Sequence, residues 1–209
     1  MFENRTDAGQ QLAAVLRDRG VESDLVLAVP RGGLPVGRIV ADSLGVPLDV
    51  VVARKLGAPG NPELAMGAVA SDGTTWLNTR LIDDLGVGRA EVDETVRRER
   101  AAAAEKLDRY RGDRPPLDLR GKRVVIVDDG IATGATTIAC ARQVREAGAE
   151  HVVLAVPVAP PGTVERLADE VDEVVAVETP RRFGAVGQFY RAFGQVSDAV
   201  ARSYLDSEA

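Results

Sequence analysis

The feature that most constrains this chain is segment 124–137, where an apolar run is followed by two acids and a turn of small and hydroxyl residues. The run Val124–Val127 is β-branched without a polar residue, which is typical of a strand buried on both faces of a parallel sheet. Apolar residues then recur at helical spacing from about Gly134 to Ala147. The pattern therefore predicts a strand, a tight turn and a helix in direct succession.

A strand–turn–helix junction of this kind favours a bound anion, because loop amides meet the positive end of the helix dipole there. Asp128 and Asp129 follow the strand, at the edge where open α/β sheets bind their ligands. Carboxylates suit hydroxyl groups or a bridging cation, whereas the turn suits a phosphate. The segment therefore predicts a ribose 5-phosphate site. The plainer alternative is that the two acids end a strand and cap a helix.

The same residues resemble the 5-phosphoribosyl-1-pyrophosphate (PRPP) signature of type I phosphoribosyltransferases, which has four apolar residues, two acids and a T-G-x-T turn. Gly130 stands where many members carry a larger apolar residue. The resemblance implies that Asp128 and Asp129 hold the ribose hydroxyls or a water bound to the cofactor Mg²⁺. It also implies that the 5-phosphate lies against Ala132, Thr133, Gly134, Ala135 and Thr136.

A second strand–loop–helix junction precedes the signature, with a predicted strand over 25–29 and a helix from Leu34 to about Leu44. The loop between them offers a guanidinium and backbone amides to phosphate, and its glycines allow close approach. It resembles the pyrophosphate loop of the family, in the R-G-G form of the xanthine–guanine enzymes. The resemblance implies a cis peptide bond, which we assign to Arg31–Gly32, and pyrophosphate binding by Arg31, Gly32 and Gly33.

The segment 54–78 follows a predicted strand over 48–53. Closely spaced proline and glycine predict irregular structure over 56–64, and a hairpin is predicted over 66–77. The segment resembles the mobile catalytic loop of the family, which closes over PRPP and excludes water. Lys55 and Arg54 are then candidates to neutralise the departing pyrophosphate, and the alternative is that both are solvated charges at a strand end.

The segment 178–193 is rich in aromatic residues. With the N-terminal segment, it resembles the hood that the family builds over the acceptor. Phe183 and Tyr190 are candidates to stack on a planar acceptor, and Arg181 could meet a carboxylate or an oxo group. The alternative is that the aromatic side chains pack the last helix onto the body. No residue pattern in this segment identifies the acceptor.

Composition narrows the remaining choices. The 209 residues carry a net charge of −6, and no basic segment stands out, so we expect neither nucleic acid nor a membrane surface as a general partner. Cys140 is the single cysteine, which excludes an intrachain disulfide and suits a reducing cytoplasm. His151 is the single histidine, so no zinc site is expected. We expect a cytoplasmic protein.

These observations together predict one α/β domain, in which a mostly parallel sheet of about five strands is flanked by helices and covered by a small hood. The core is expected over about residues 20–177. The resemblance implies a Mg²⁺-dependent phosphoribosyltransferase whose partners are PRPP and a small, nucleobase-like acceptor. Homodimers are common in the family. A PRPP-sensing regulator is the main alternative function, and phosphate-ester hydrolysis or phosphorolysis at the same site is the third.

Overall fold

The computed structural model describes residues 1–206 of the chain. Its elements alternate between helices and strands, apart from one run of four strands that is followed by two helices. In chain order they are α1 (Arg5–Asp18), β1 (Leu25–Ala28), α2 (Gly33–Leu44), β2 (Leu48–Val50), β3 (Ala53–Ala58), β4 (Asn61–Ala70), β5 (Thr75–Leu77), α3 (Thr79–Asp84), α4 (Arg89–Arg111), β6 (Arg123–Val127), α5 (Ala135–Glu146), β7 (His151–Val158), α6 (Pro161–Ala168), β8 (Glu173–Glu178) and α7 (Asp198–Asp206). A short 3₁₀ turn covers Val186–Phe189.

The central sheet has five parallel strands in the order β2-β1-β6-β7-β8. Ala28 on β1 lies opposite Val127 on β6, and the amide of Val29 donates to the Val127 carbonyl over 2.8 Å. Strands β1 and β6 therefore end at the same level, and the loops that follow them lie side by side. The predicted fold class is confirmed.

Both faces of this sheet are covered, as the unbroken apolar run of β6 predicts. Val124 and Ile126 belong to the apolar cluster on the α5 side of the sheet. Val125 and Val127 belong to the cluster on the side of α1 and α2. None of these four side chains is more than 1% exposed. The alternation anchors β6 between two layers of helices, which fixes the position of the acids that follow it.

A second sheet of three antiparallel strands, β3-β4-β5, occupies most of segment 54–78, where the sequence predicts the mobile catalytic loop. We call this segment the lid. The predicted hairpin over 66–77 is present, since β4 pairs antiparallel with β5. The irregular structure predicted over 56–64 is wrong. Pro59 and Gly60 form only the tip of a β3–β4 hairpin, in which Ala58 pairs with Asn61. Gly60 has a φ of +72°, which glycine adopts readily at the third position of a type II turn.

The other predicted elements are present, most of them with shifted ends. An apolar stripe in the sequence predicts a long helix from about Arg89 to Arg111, and α4 has these bounds, whereas α3 was not predicted. The strand predicted over 48–53 stops at Val50, because the chain passes there into β3 of the second sheet. Cys140 is buried on α5. Within residues 1–206, no helix combines the length and apolarity that crossing a membrane requires.

The hood consists of the N-terminal segment and the chain that follows β8. Phe2 donates its backbone N–H to the Phe189 carbonyl over 2.7 Å, and its own carbonyl accepts from the amide of Arg191 over 2.9 Å. Phe2 and Tyr190 are buried, with ring centroids 5.3 Å apart. These contacts hold the N-terminal segment against the chain that follows β8, beside the carboxyl end of β6.

Candidate functional site

Three cavities adjoin at the carboxyl ends of β1 and β6. The lid cavity, of about 640 Å³, lies between the β3–β4 hairpin and α4. The acid cavity, of about 410 Å³, lies between the two acids and the hood. The loop cavity, of about 250 Å³, is formed mainly by residues 130–137. Pro30 lines both the lid cavity and the acid cavity. Asp128 lines the acid cavity and the loop cavity, and Thr136 lines the lid cavity and the loop cavity. These shared residues place the three cavities side by side around the acid pair.

The loop cavity contains all five residues that the sequence predicts at the 5-phosphate. Gly134 starts α5 with a φ of +78°, a left-handed conformation that favours glycine. The carbonyl of Ala132 accepts from Thr163 Oγ1 over 2.7 Å, and that of Thr133 accepts from Arg166 over 2.6 Å. Because donors from α6 bind these two carbonyl oxygens, the loop presents less negative potential to an anion.

The acid pair lies between the loop cavity and the acid cavity. Asp128 Oδ1 accepts the backbone N–H of Asp129 over 2.8 Å. Burial raises the pKa of Asp128 well above its ordinary value, and the charge of Asp129 raises it further. Burial also raises the pKa of Asp129, although Arg5 opposes this shift. Two poorly solvated carboxylates favour hydroxyl donors or a cation beside them.

Arg5 is a residue of the site that the sequence analysis did not identify. Its Nε donates to Asp129 Oδ2 over 2.7 Å, and its Nη1 donates to the Gly194 carbonyl over 2.7 Å. Its guanidinium carbon lies 4.0 Å from the ring centroid of Phe193. One signal was available, because Arg5 opens α1 and a cation opposes the helix dipole at that end.

The glycine loop after β1 lies directly against the acid pair. A Cβ on Gly32 would lie 2.0 Å from Asp129 Oδ2, and one on Gly33 would lie 2.7 Å from the Val127 carbonyl oxygen. Arg31 and Gly32 both line the acid cavity. The cis peptide bond is Pro30–Arg31, so its assignment to Arg31–Gly32 was wrong by one residue. Gly32 already has helical dihedral angles as the N-cap of α2.

Arg54 and Lys55 lie on β3 and line the lid cavity. They belong to a strand of the second sheet and do not end β2. Arg54 Nε donates to Glu99 Oε2 on α4 over 2.7 Å. The two predicted cations therefore face the space beside the glycine loop, and the charge of Arg54 is already balanced by a carboxylate.

Lys106 on α4 is a second residue that the sequence analysis missed. Its Nζ donates to the Pro30 carbonyl over 2.7 Å, and it lines the lid cavity. Burial lowers the pKa of Lys106, and the charge of Arg54 lowers it further. The sequence offered little signal for it, since a lysine on a helix of charged residues is indistinguishable there from a solvated one.

The three residues predicted at the acceptor do not line the acid cavity. Tyr190 is buried between Phe2 and Phe193, and its hydroxyl donates to the Asp129 carbonyl. Phe183 packs on Phe189, Arg181 is exposed, and neither lines this cavity. The stacking role predicted for Tyr190 is therefore corrected, because its ring is covered on both sides. The hood wall of the cavity is formed by Val186, Phe193, Gln195 and Val196.

The acid pair has the donor chemistry that Mg²⁺ requires. This ion prefers oxygen ligands and is typically held by one or two carboxylates together with phosphate oxygens of the substrate. Asp128 and Asp129 provide two adjacent carboxylates with raised pKa values. Over the described residues, no group of three or more His, Cys, Asp or Glu side chains could hold a metal ion. Substrate oxygens and waters would complete the coordination beside the two carboxylates.

The parallel sheet, with a glycine loop and an acid-and-threonine loop at the ends of adjacent strands, has the type I phosphoribosyltransferase fold. The chain belongs to the phosphoribosyl transferase domain family, whose model matches residues 3–192. The predicted family is therefore confirmed.

Known proteins resemble the chain along most of its length. A Mycobacterium tuberculosis H37Rv protein provisionally named phosphoribosyl transferase is 46% identical over 206 residues, which are 99% of this chain and 46% of that protein. The crystal structure of TT1426 from Thermus thermophilus is 43% identical, with a TM-score of 0.82 over 98% of this chain and 97% of that one. The amidophosphoribosyltransferase of Mycobacterium tuberculosis H37Rv is 30% identical over 157 residues, 73% of this chain and 22% of that protein. The chain thus spans less than half of the curated relatives it matches.

Proposed function

We propose that the protein is a phosphoribosyltransferase that moves ribose 5-phosphate from PRPP to a nucleobase-like acceptor and releases pyrophosphate. The observation that carries this proposal is the adjacency of the three cavities, which share Pro30, Asp128 and Thr136 as lining residues. PRPP carries a phosphate, a diol and a pyrophosphate on one ribose. The loop cavity suits the phosphate, the acid pair suits the diol, and the glycine loop with the lid cavity suits the pyrophosphate. The family membership supports the same proposal.

In this proposal the 5-phosphate lies in the loop cavity, at the N-terminus of α5. The ribose hydroxyls lie on Asp128 and Asp129, and the pyrophosphate extends along the Arg31–Gly33 loop into the lid cavity. The acceptor enters the remaining part of the acid cavity, against Phe193 and the rest of the hood wall. This arrangement places the C1 atom of the ribose between the glycine loop and the hood.

The chemistry asks for charge stabilisation and positioning. The bond between C1 and the pyrophosphate oxygen breaks with its electron pair on pyrophosphate, and an acceptor nitrogen forms a bond to C1 and loses its proton. Arg31 and Lys55 stabilise the charge that develops on the leaving group, while the loops hold C1 near the acceptor. When bound, Mg²⁺ would neutralise part of the pyrophosphate charge, with Asp128 and Asp129 as its protein ligands or as acceptors from its waters.

The β3–β4 hairpin is the natural cover for the reacting atoms. It forms one wall of the lid cavity and carries both Arg54 and Lys55. A transition state with positive charge on the ribose would react with water unless the site excludes it. The hairpin would therefore contribute by shielding as well as by its cations.

The site assignment is tested by replacing both acids. Asp128→Asn/Asp129→Asn removes the anionic acceptors for the ribose hydroxyls but keeps the side-chain shape. We expect PRPP affinity in calorimetry to fall by about tenfold or more, since hydrogen bonds to charged groups contribute about 1.5–3 kcal/mol each. Asp118→Asn is the matched control, because Asp118 is exposed and precedes β6, whereas the acid pair follows this strand. Unchanged PRPP affinity in the double variant would refute the assignment.

Turnover is tested by following pyrophosphate release from PRPP across a panel of purines, pyrimidines and aromatic acids. The proposal expects release that depends on one class of acceptor. PRPP binding without release on the whole panel would favour a sensor. PRPP breakdown without any acceptor would favour a hydrolase.

A further inference from the structure

The long helix α4 places one cation, Lys106, beneath the glycine loop. Its ammonium donates to the carbonyl of Pro30, the residue that precedes Arg31, over 2.7 Å. This bond uses one of three N–H groups, and the side chain also lines the lid cavity together with Lys55 and Thr136. Lys106 therefore contacts the glycine loop and borders the cavity beside it at the same time.

The charge of Lys106 is less balanced than that of its neighbours. Arg54, on the facing strand, pairs with Glu99, which also accepts from Arg98 over 3.1 Å. Among the described residues, no carboxylate lies within ion-pair distance of the Lys106 ammonium. A half-buried ammonium without a carboxylate partner favours an anion in the adjoining cavity.

We propose that Lys106 is a pyrophosphate-binding residue of this protein. One N–H of its ammonium holds the Pro30 carbonyl, and the others bind oxygens of the leaving pyrophosphate in the lid cavity. This inference rests on the proposed function, because it assigns the anion in that cavity to PRPP. It adds a cation from α4 to those predicted from the glycine loop and the lid.

The chemistry of lysine suits this position. An ammonium is a compact charge with three donors, so it can serve a backbone carbonyl and a phosphate oxygen together. Burial and the nearby Arg54 and Arg31 lower the pKa of Lys106, although Asp128 opposes them. A bound pyrophosphate would favour the charged form. The affinity of the protein for pyrophosphate should therefore be highest below the pKa that Lys106 has in the ligand-free protein. It should fall as the pH rises through that pKa, and this fall should begin at a lower pH than for an ordinary lysine.

Calorimetry with inorganic pyrophosphate and, separately, ribose 5-phosphate tests the inference, both with Mg²⁺ present. We expect Lys106→Met to weaken pyrophosphate binding about tenfold or more and to leave ribose 5-phosphate binding within about twofold. Lys122→Met is the matched control, because Lys122 precedes β6 at the opposite edge of the sheet. Lys106→Arg keeps a cation at high pH, so the loss of affinity at alkaline pH should disappear in it.

The outcomes separate the two proposals. Wild-type affinity for pyrophosphate in Lys106→Met would overturn the role of Lys106 and leave the proposed function intact. An equal loss for both ligands would also overturn it, since that result indicates a general distortion. If the wild-type protein binds neither ligand nor PRPP, the proposed function fails first.

Discussion

Arg5 Nε and Asp129 Oδ2 lie 2.7 Å apart, although 124 positions separate the two residues in the chain. Each side chain is 13% exposed. The hood and the acid pair are therefore linked by an ion pair in a poorly solvated place, where the interaction is stronger than at the surface. Any movement of the N-terminal segment would change the charge that Asp129 presents to a ligand.

Removal of Arg5 should destabilise the protein. Arg5→Met leaves the Asp129 carboxylate buried without its cation, and we expect a loss of about 3 kcal/mol in the free energy of unfolding, measured with urea. Adding Asp129→Asn removes the orphaned charge, so the double variant should regain part of the loss. Arg191→Met breaks an exposed pair with Glu3 and should cost less than about 1 kcal/mol. Equal stability of the single and double variants would contradict the charge interaction.

Gly32→Ala should weaken PRPP binding by displacing Asp129, without straining the backbone at residue 32. The φ of Gly32 is −62°, which alanine adopts freely, but the added Cβ would lie 2.0 Å from Asp129 Oδ2. The carboxylate must move, so we expect PRPP affinity to fall about tenfold and stability by about 1–3 kcal/mol. Gly162→Ala is the control, because Gly162 lies on α6 and a Cβ added there would point into open space, and the substitution should change neither quantity adversely. Unaltered PRPP binding in Gly32→Ala would show that Asp129 tolerates displacement.

Asp128 should make the protein less stable as the pH rises. Burial, and then Asp129, raise its pKa in the folded state. Its stabilising contribution is therefore complete below the unfolded pKa of about 3.9 and is lost as the pH rises through the folded value. Asp128→Asn stays neutral, so its stability relative to the parent should increase as the pH rises above about 4 and through the folded pKa of Asp128, by about 1.4 kcal/mol per unit of pKa elevation.

Urea unfolding of both proteins across this pH range measures the difference. Asp118→Asn is the control, since the backbone N–H and guanidinium of Arg120 lower the pKa of Asp118. It should show no such gain at higher pH. A stability difference for Asp128→Asn that does not vary with pH would contradict the raised pKa of this carboxyl.

Tyr190→Phe should lower the stability of the protein even when no ligand is bound. The substitution keeps the ring between Phe2 and Phe193 but removes the hydroxyl that donates to the Asp129 carbonyl. We expect a loss of about 1 kcal/mol, which corresponds to about 2–4 °C in the midpoint of thermal unfolding for a chain of this size. Tyr204→Phe is a matched control on α7. If thermal unfolding without ligand is unchanged, the hydroxyl bond contributes nothing to stability.

The parts of the site that sequence predicted are those that one short segment determines. Consecutive residues determine the change from a buried strand to a helix around Asp128, and the same holds for the glycine loop after β1. Arg5 and Lys106 join the site through contacts across 124 and 76 positions. The contents of the hood depend on pairing between Phe2 and the tail, so composition alone did not show which aromatic rings are covered.

The lid illustrates a different limit. Proline and glycine over 56–64 favour a turn, but they do not specify how much chain the turn occupies. Here Pro59 and Gly60 suffice, and the flanking residues continue as paired strands. Gly57 lies where the strands approach closely, since a Cβ there would lie 2.7 Å from the Cα of Pro62. A glycine that resembled a breaker is in fact a close-packing position within the hairpin.

The pairing of Ala28 with Val127 fixes the distance between the two anion-binding loops. Their separation is set by the hydrogen-bond ladder between β1 and β6, and no part of it depends on how much chain connects them. A slip to the next matching register would displace one loop by about 6.6 Å, two residue steps of a parallel strand. Insertions or deletions between β2 and β6 can therefore change the lid and α4 without altering the span available to one substrate. Diversification of such proteins is expected to concentrate in that intervening chain.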